Sequence, residues 1–259
     1  MIVDFHTHIY KADPKYTGTS TKFGTARKQC TSEDMISLLD KNGINAAVAF
    51  MLGRLLTEQD FYERNKVVAE AARKYPDRII GFVRVNPWMD NCVELIDKAV
   101  KEMGFKGLKL IPTAEAFPAN DEIVFPLLEK AKQLGIPVQI HSHQPNSQPA
   151  LIGDLADRFP DVTIVLAHFG MAAYADAIFV AKKCDNIILE TSAEPWTHRI
   201  LKGAIGRIGV DRIVWGSDAP LHHQEIELMK VRLAGLSDKE LDMVLGRNAA
   251  RILGLSGGN

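Results

Sequence analysis

The feature of this sequence that most restricts its fold is a regular alternation of short apolar runs with longer amphipathic stretches. The apolar runs are rich in Val and Ile, which is typical of strands that are buried on both faces. Because a helical pattern separates each run from the next, the strands are predicted to be parallel. Eight runs predict strands at Ile2–His8, Ala46–Met51, Ile79–Val85, Gly107–Ile111, Val138–His141, Thr163–His168, Ile187–Glu190 and Ile213–Ser217.

The stretches between these runs have the spacing of amphipathic helices. A first helix is predicted to begin at Ser32, where Glu33 and Asp34 suit the positive N-terminal end. Eight strand–helix units in 259 residues favour a single α/β domain over residues 1–259, a closed (β/α)8 TIM barrel rather than an open sheet. The later helices are predicted at Gln59–Tyr75, Asn91–Met103, Glu122–Leu134, Ala150–Phe159, Ala172–Lys183, Trp196–Ile208, Glu225–Leu233 and Asp238–Leu253, with a break at Gly246 in the last.

Charge and composition argue against several classes of function. The net charge is −1 with acidic and basic residues interleaved, so no field favours nucleic acid or a membrane surface. Cys30, Cys92 and Cys184 show no CxxC spacing, which argues against a disulfide framework and a thiolate metal site. The N-terminal residues lack the features of a secretory signal, and no apolar stretch approaches the roughly 20 residues that span a bilayer. A cytoplasmic protein is the prediction.

The predicted strand ends carry the residues that suggest chemistry. In a barrel of this kind the active site lies at the C-terminal ends of the strands. His6 and His8 end the first strand and, being two residues apart, face the same way. Alone, such a pair fits ordinary polar residues at a strand end equally well. His141 and His168 end two further strands and Asp218 follows the eighth, so a closed barrel would gather imidazoles and a carboxylate that suit a divalent metal.

Several motifs carry a resemblance to a known family. They are HTH at residues 6–8, GFKGLKL at 104–110, IPVQIH at 136–141, AHFG at 167–170, WGSDAP at 215–220 and the closing GRNAARILGL. Together they resemble the amidohydrolase superfamily over essentially the whole chain. More narrowly, they are similar to its amidohydrolase-related branch, which includes aminocarboxymuconate-semialdehyde decarboxylase, resorcylate-type decarboxylases and lactone hydrolases. The resemblance implies a metal-dependent enzyme.

The resemblance also implies a role for each strand-end residue. His6 and His8 match the ligands on the first strand, and His141 matches the ligand on the fifth. Asp218 matches a carboxylate that contacts the metal and transfers protons, and His168 matches the histidine that orients the metal-bound water in mononuclear members. We therefore predict one divalent ion, expected to be Zn²⁺, held by His6, His8, His141 and Asp218. Asp218 and His168 are the predicted catalytic residues.

One departure from the family pattern leaves the number of metals open. This chain has Lys109-Leu-Ile-Pro where most relatives have KLHP. In binuclear members a lysine of this strand is carboxylated and bridges two metals, whereas we predict an uncarboxylated Lys109 and a single metal. Lys109, Arg84, His143 and His222 are candidate substrate-binding residues. Arg84 fits a salt bridge equally well, His143 could lie in a loop, and His222 could lie at the pocket edge.

Three functions remain open from the sequence. Hydrolysis of a small-molecule lactone, ester or amide by a metal-bound hydroxide is the first choice, because decarboxylases of this branch tend to be longer. The alternative is non-oxidative decarboxylation of an aromatic or muconate-type carboxylic acid on the same site. A non-catalytic metal-binding barrel is the third, and His168 beside a full ligand set argues against it. The predicted partner is a small-molecule substrate, and relatives commonly form dimers, so a homodimer stays open.

Overall fold

Eight parallel strands form one barrel in the computed structural model, which describes residues 1–11, 29–53, 57–143 and 145–255. Each strand pairs in parallel with the next strand in the sequence. The predicted (β/α)8 barrel is therefore confirmed. The strands are β1 Val3–His8, β2 Ala46–Phe50, β3 Ile79–Arg84, β4 Gly107–Leu110, β5 Val138–Ile140, β6 Ile164–Leu166, β7 Ile187–Glu190 and β8 Ile213–Val214.

The barrel closes between β1 and the segment that follows β8. The Phe5 backbone N–H donates to the Trp215 carbonyl at 2.9 Å, and the His8 N–H donates to the Ala219 carbonyl at 2.8 Å. The Asp218 N–H donates to the His6 carbonyl, also at 2.8 Å. Closure thus joins the two segments that carry most of the predicted metal ligands.

Helices cover the outside of the barrel. Thr31 caps the first helix through a capping box with Asp34, as the acidic residues of its first turn suggest. A four-residue helix follows β4 and was not predicted from the sequence. The helices are α1 Ser32–Asn42, α2 Glu58–Lys74, α3 Cys92–Met103, α4 Pro112–Glu115, α5 Phe125–Leu134, α6 Pro149–Arg158, α7 Tyr174–Lys183, α8 Thr197–Ile208, α9 Gln224–Arg232, α10 Asp238–Asp242 and α11 Asn248–Leu253.

The predicted break at Gly246 takes a different form. A π-helical segment, Met243–Arg247, joins α10 to α11, so the helix widens locally and continues. The backbone at Gly246 lies against the start of the chain, where an added Cβ would stand 2.0 Å from the Met1 carbonyl oxygen. Ala249 and Leu253 of α11 pack with the apolar interior of the barrel and cover its N-terminal end. Among the described helices, none is long and apolar enough to cross a membrane.

The barrel interior is a packed apolar core below the strand ends. The rings of Phe5 and Phe82 meet edge to face, with centroids 5.8 Å apart. Gly107 on β4 leaves room for Phe82, since a Cβ there would lie 2.4 Å from its ring. The polar residues collect above this core, at the rim formed by the C-terminal strand ends, where ligands bind in barrels of this kind.

Candidate metal centre

Three predicted ligands meet at the rim formed by β1 and the segment after β8. His6, His8 and Asp218 are all buried, and each offers a ligand atom within 4.8 Å of the others. The His8 Nε2 atom lies 2.8 Å from Asp218 Oδ1, and His6 Nε2 lies 3.3 Å from the same oxygen. Two imidazoles and a carboxylate that converge in this way could hold a divalent metal ion.

Glu190, at the end of β7, fixes the orientation of His6. Its Oε2 atom lies 2.8 Å from His6 Nδ1, which leaves Nε2 directed at Asp218. A carboxylate behind a histidine sets the tautomer and the ring orientation that metal binding requires. No spacing in the sequence pairs Glu190 with His6, because the two residues are far apart in the chain and meet only when the barrel closes.

His168 and His141 lie next to each other beside this group. His168 Nε2 is 2.9 Å from His141 Nδ1, and His168 Nδ1 is 2.9 Å from the Ser192 hydroxyl. His168 also belongs to a second group of possible ligands with His6 and Glu190. The predicted residues are thus brought to one rim. Because His141 forms its hydrogen bond with His168, its role as a further metal ligand stays a prediction.

The backbone at Asp218 and His168 is unusual. Both residues have a φ of 59°, in the left-handed region that non-glycine residues seldom adopt. Such a conformation costs on the order of 1 kcal/mol per residue and is concentrated at functional sites. The turn at His168 also ends β6 at Leu166, and β8 ends at Val214, both earlier than the sequence predicted.

Asp4 is a buried carboxylate that holds the two sides of the site together. It accepts hydrogen bonds from the Ser217 N–H at 2.9 Å, from the Gln224 side-chain amide at 2.9 Å and from the His6 N–H at 3.2 Å. Burial raises the pKa of Asp4 to about 7 despite these donors. Asp4 could not be singled out from the sequence, because a register shift in β1 between Asp4 and Thr7 removes it from the simple alternation that places His6 and His8.

The donor set has the protonation that a metal requires. Burial lowers the pKa values of His6, His8 and His141 below the usual range of histidine, so the imidazoles are neutral. For Asp218, burial alone would raise the pKa, but the hydrogen bond with His8 and the other nearby histidines outweigh it and lower the pKa to about 2. Neutral imidazoles beside an ionised carboxylate fit a divalent ion.

Burial also leaves one ligand residue with an unused atom. Within the described residues, His8 Nδ1 is buried without a hydrogen-bond partner. His8 therefore offers two ring nitrogens with different surroundings, of which Nε2 faces Asp218. The His8 nitrogen without a partner, and the neutral imidazoles beside an ionised carboxylate, together support a metal site rather than a simple polar cluster.

The four candidate substrate-binding residues lie in different surroundings. Arg84 is fully buried and forms an ion pair with Glu115 of α4, which is the salt-bridge alternative for this residue. His222 is half-exposed, with Nε2 3.8 Å from Asp218 Oδ2, and so lies at the pocket edge. His143 is exposed and lies in the loop after β5. Lys109 is fully buried, with Nζ 4.5 Å from the centre of the Phe50 ring.

We expect the Gly216→Ala substitution to damage both stability and metal binding. A Cβ at this position would lie 2.3 Å from Glu190 Oε1 and 2.8 Å from His6 Cβ. Overpacking of this kind costs about 1–3 kcal/mol of the free energy of unfolding, and here it also displaces the pair that orients His6. Denaturant unfolding and metal titration measure the two effects.

Gly206→Ala is the matched control for this substitution. Gly206 lies in α8 with open space around its Cα, so alanine should leave metal binding unchanged. It should also stabilise the protein by up to about 1 kcal/mol, because alanine is a better helix former than glycine. Equal effects of the two substitutions would show that the contact with Glu190 and His6 is unimportant.

We expect one tightly held divalent ion per chain, with Lys109 uncarboxylated. Of the two possible ligand groups among the described residues, the one with Asp218 serves one ion, and the other shares His6 with it. Elemental analysis of the fully loaded protein gives the ratio. A reproducible ratio of two that falls to one in Lys109→Ala would instead indicate the binuclear site.

The fold and the site define a metal-dependent enzyme on a (β/α)8 barrel. The family model described as Amidohydrolase matches residues 3–255 of the chain. The chain therefore belongs to this amidohydrolase family. The resemblance carried by the sequence motifs is confirmed by a match that runs from β1 to the residues just after α11.

Solved structures with the same fold include both decarboxylases and a probable hydrolase. The 5-carboxyvanillate decarboxylase of Sphingomonas paucimobilis has a TM-score of 0.79 at 16% identity, with 99% of each chain covered. A dihydroxybenzoic acid decarboxylase of a Polaromonas species, solved with bound manganese, has a TM-score of 0.79 at 17% identity, covering 98% of this chain and 97% of that chain. A probable 2-pyrone-4,6-dicarboxylic acid hydrolase of Acinetobacter baumannii has a TM-score of 0.73 at 20% identity, covering 98% and 99%.

Proposed function

We propose that this chain catalyses the non-oxidative decarboxylation of an aromatic or muconate-type carboxylic acid at the candidate metal centre. Decarboxylases of aromatic acids are prominent among the structures that share its fold. The length of the chain, which favoured hydrolysis in the sequence analysis, no longer separates the two reactions, because the match spans 99% of the Sphingomonas decarboxylase. The comparisons thus favour the alternative reaction over the first choice.

The observation that carries this proposal is the placement of Asp218 between the buried histidines and a half-exposed one. His8 holds Oδ1 on the inner side, while Oδ2 lies 3.8 Å from His222 Nε2, whose side chain is 44% exposed. At this separation, a bridging water would let Asp218 receive a proton from solvent through His222 and deliver it inside the pocket.

Asp218 and His222 would supply the proton that the substrate carbon takes up in the reaction. When the bond between carbon and the leaving CO₂ breaks, its electron pair stays on the substrate carbon, and Asp218 protonates that carbon. Asp218 regains a proton from solvent through His222. A bound divalent ion would neutralise the substrate carboxylate and stabilise negative charge in the transition state. His168, whose ring lies between Ser192 and His141, would orient the reacting group from beside Asp218.

The metal in this proposal is divalent, with Zn²⁺ and Mn²⁺ as the leading candidates. The set of imidazole and carboxylate donors suits both ions. The decarboxylase of the Polaromonas species was solved with bound manganese, which supports Mn²⁺ here alongside the predicted Zn²⁺. Reconstitution of chelated protein with each ion separately decides which of them restores the activity.

Hydrolysis of a lactone, ester or amide is the second candidate. It is supported by the likeness to the probable pyrone-dicarboxylic acid hydrolase and by the ionised Asp218, which can act as the base that takes a proton from water. The two reactions share all the residues discussed above, so isotope incorporation has to separate them.

The test is a panel of hydroxybenzoic acids and lactones incubated with metal-loaded protein in deuterated and in ¹⁸O-labelled water. Decarboxylation is expected to release CO₂ and to place solvent deuterium on the carbon that lost it, with no ¹⁸O in the organic product. Ring opening with ¹⁸O in the new carboxylate would support hydrolysis and overturn the proposal. The chelated protein is the control, and it should be inactive in both cases.

A further inference from the structure

Lys109 is a buried charged side chain that the reaction described above does not use. It lies on β4 two residues after Gly107 and faces the same way, toward the Phe82 ring and the barrel interior. Its neighbours Leu108 and Leu110 belong to the apolar core on the opposite face of the strand. Lys109 is fully buried. A lysine in this position places positive charge inside the barrel.

The Lys109 amine lies close to the metal centre. Its Nζ atom is 4.5 Å from the centre of the Phe50 ring, and the same ring lies 5.0 Å from the His6 ring and 4.7 Å from the His8 ring. The charge of Lys109 also contributes to the lowered pKa values of His6 and His8. One small molecule at the rim could therefore contact both the metal centre and this amine.

No acceptor among the described residues satisfies the Lys109 amine. Its Nζ atom is buried and has no hydrogen-bond partner there. The charge of Glu190 has the largest raising effect on the pKa of Lys109. The Glu190 carboxylate, however, is already held by His6, by the His168 N–H and by Ser192. A buried cation without an acceptor is costly, and a phenylalanine ring compensates only weakly.

The residue beside Lys109 on β3 is incompletely satisfied in the same way. Arg84 is the register partner of Lys109, and its ion pair with Glu115 leaves Arg84 Nε and Glu115 Oε2 buried without partners among the described residues. Unsatisfied polar atoms on adjacent strands at the open end of a barrel indicate a place where a polar ligand binds. Because the Lys109 amine is positively charged when protonated, an anionic ligand fits best.

We propose that Lys109 binds a second carboxylate of the substrate, so that the substrate is a small dicarboxylic acid whose other carboxylate lies at the metal centre. The proposal rests on the proposed function in that it takes the substrate to be a carboxylic acid. Burial lowers the pKa of Lys109 to about 7, although the charges of Glu190 and Asp218 raise it in part. A bound carboxylate would restore the ammonium form and supply the missing acceptor.

Titration calorimetry of the metal-loaded protein with isophthalate and with benzoate tests the proposal. The parent protein is expected to bind isophthalate more tightly than benzoate by about 10- to 100-fold, the contribution of one charge-assisted contact. Lys109→Met keeps an unbranched side chain and removes the amine with its charge, so the preference should fall to within about threefold. Lys106→Met, at an exposed lysine just before β4, is the control and should keep the preference.

The melting temperature of Lys109→Met distinguishes substrate binding by Lys109 from a structural role. Lys109→Met removes a buried charge without an acceptor, so the variant should melt at the temperature of the parent or above it. A lower melting temperature would make Lys109 a structural cation and overturn the proposal. So would a preference that survives in Lys109→Met, or a parent protein that shows none.

Two further outcomes distinguish this proposal from a carboxylated Lys109 and from the proposed decarboxylation. Protein equilibrated with ¹³C-bicarbonate should give no carbamate signal; a carbamate signal that Lys109→Met lacks would assign the amine to a carboxylated, metal-bridging lysine and overturn the proposal. A preference for isophthalate that depends on Lys109, without release of CO₂ from any acid of the panel, would refute the proposed decarboxylation and leave dicarboxylate binding standing.

Discussion

Asp218→Asn is expected to lower turnover per bound metal by about 10²- to 10⁴-fold while most of the metal remains. Asparagine keeps the size of the side chain and an oxygen that can still approach a metal. It cannot carry a proton from His222 to the substrate, and that transfer is the step assigned to this carboxylate. His8 and His6 stay in place in the variant, so much of the donor set survives.

The measurement is activity divided by metal content across a pH series. Asp77→Asn is the control, because Asp77 is exposed and precedes β3 at the opposite end of the barrel. If the normalised activity of Asp218→Asn stayed within a few-fold of the parent, Asp218 would be a ligand only. The proton transfer would then belong to His168 or to another group.

His6→Ala is expected to abolish metal binding at stoichiometric concentrations and to abolish activity with it. The substitution removes one donor of the three-residue group and leaves the Glu190 carboxylate buried without its imidazole partner. Loss of a supporting residue alone costs about 10- to 100-fold in metal affinity, so loss of a ligand should cost more. Glu190→Gln is therefore expected to lie between His6→Ala and the parent.

His141→Ala separates the two roles that remain open for His141. If His141 is a ligand, the metal content falls as it does in His6→Ala. If His141 only supports His168, its hydrogen-bond partner at 2.9 Å, the metal stays and activity falls. His223→Ala, at an exposed histidine that precedes α9, should change neither quantity. Retention of metal in His6→Ala would contradict the assignment of the site.

The sequence predicted the barrel well because its strands are buried on both faces. Such strands read as continuous apolar runs, and the predicted and observed strands share their central residues in every case. The prediction failed at the ends of β6 and β8. At His168 and Asp218 the backbone adopts the left-handed conformation. A histidine or an aspartate in a sequence does not predict that conformation, as a glycine would.

From the sequence, the site could be predicted only through single residues at the strand ends, and not through the pairs that they form. His6, His8 and Asp218 could be found because imidazoles and carboxylates at the rim of a barrel are uncommon unless they bind something. The pairing of Glu190 with His6, and of Arg84 with Glu115, joins residues that no local spacing relates. Glu115 lies in α4, which is too short to give a periodic signal, so the partner of Arg84 could not be foreseen.

The most direct test of this account is a crystal structure of the metal-loaded protein with the ion located by anomalous scattering. The account predicts one ion per chain at the C-terminal rim of the barrel. Its distances to His6 Nε2, to a ring nitrogen of His8 and to an oxygen of Asp218 should be about 2.0–2.2 Å, with His141 completing the set. An ion bound elsewhere, or one that leaves His6 and Asp218 beyond bonding distance, would contradict the assignment of this site as the metal centre.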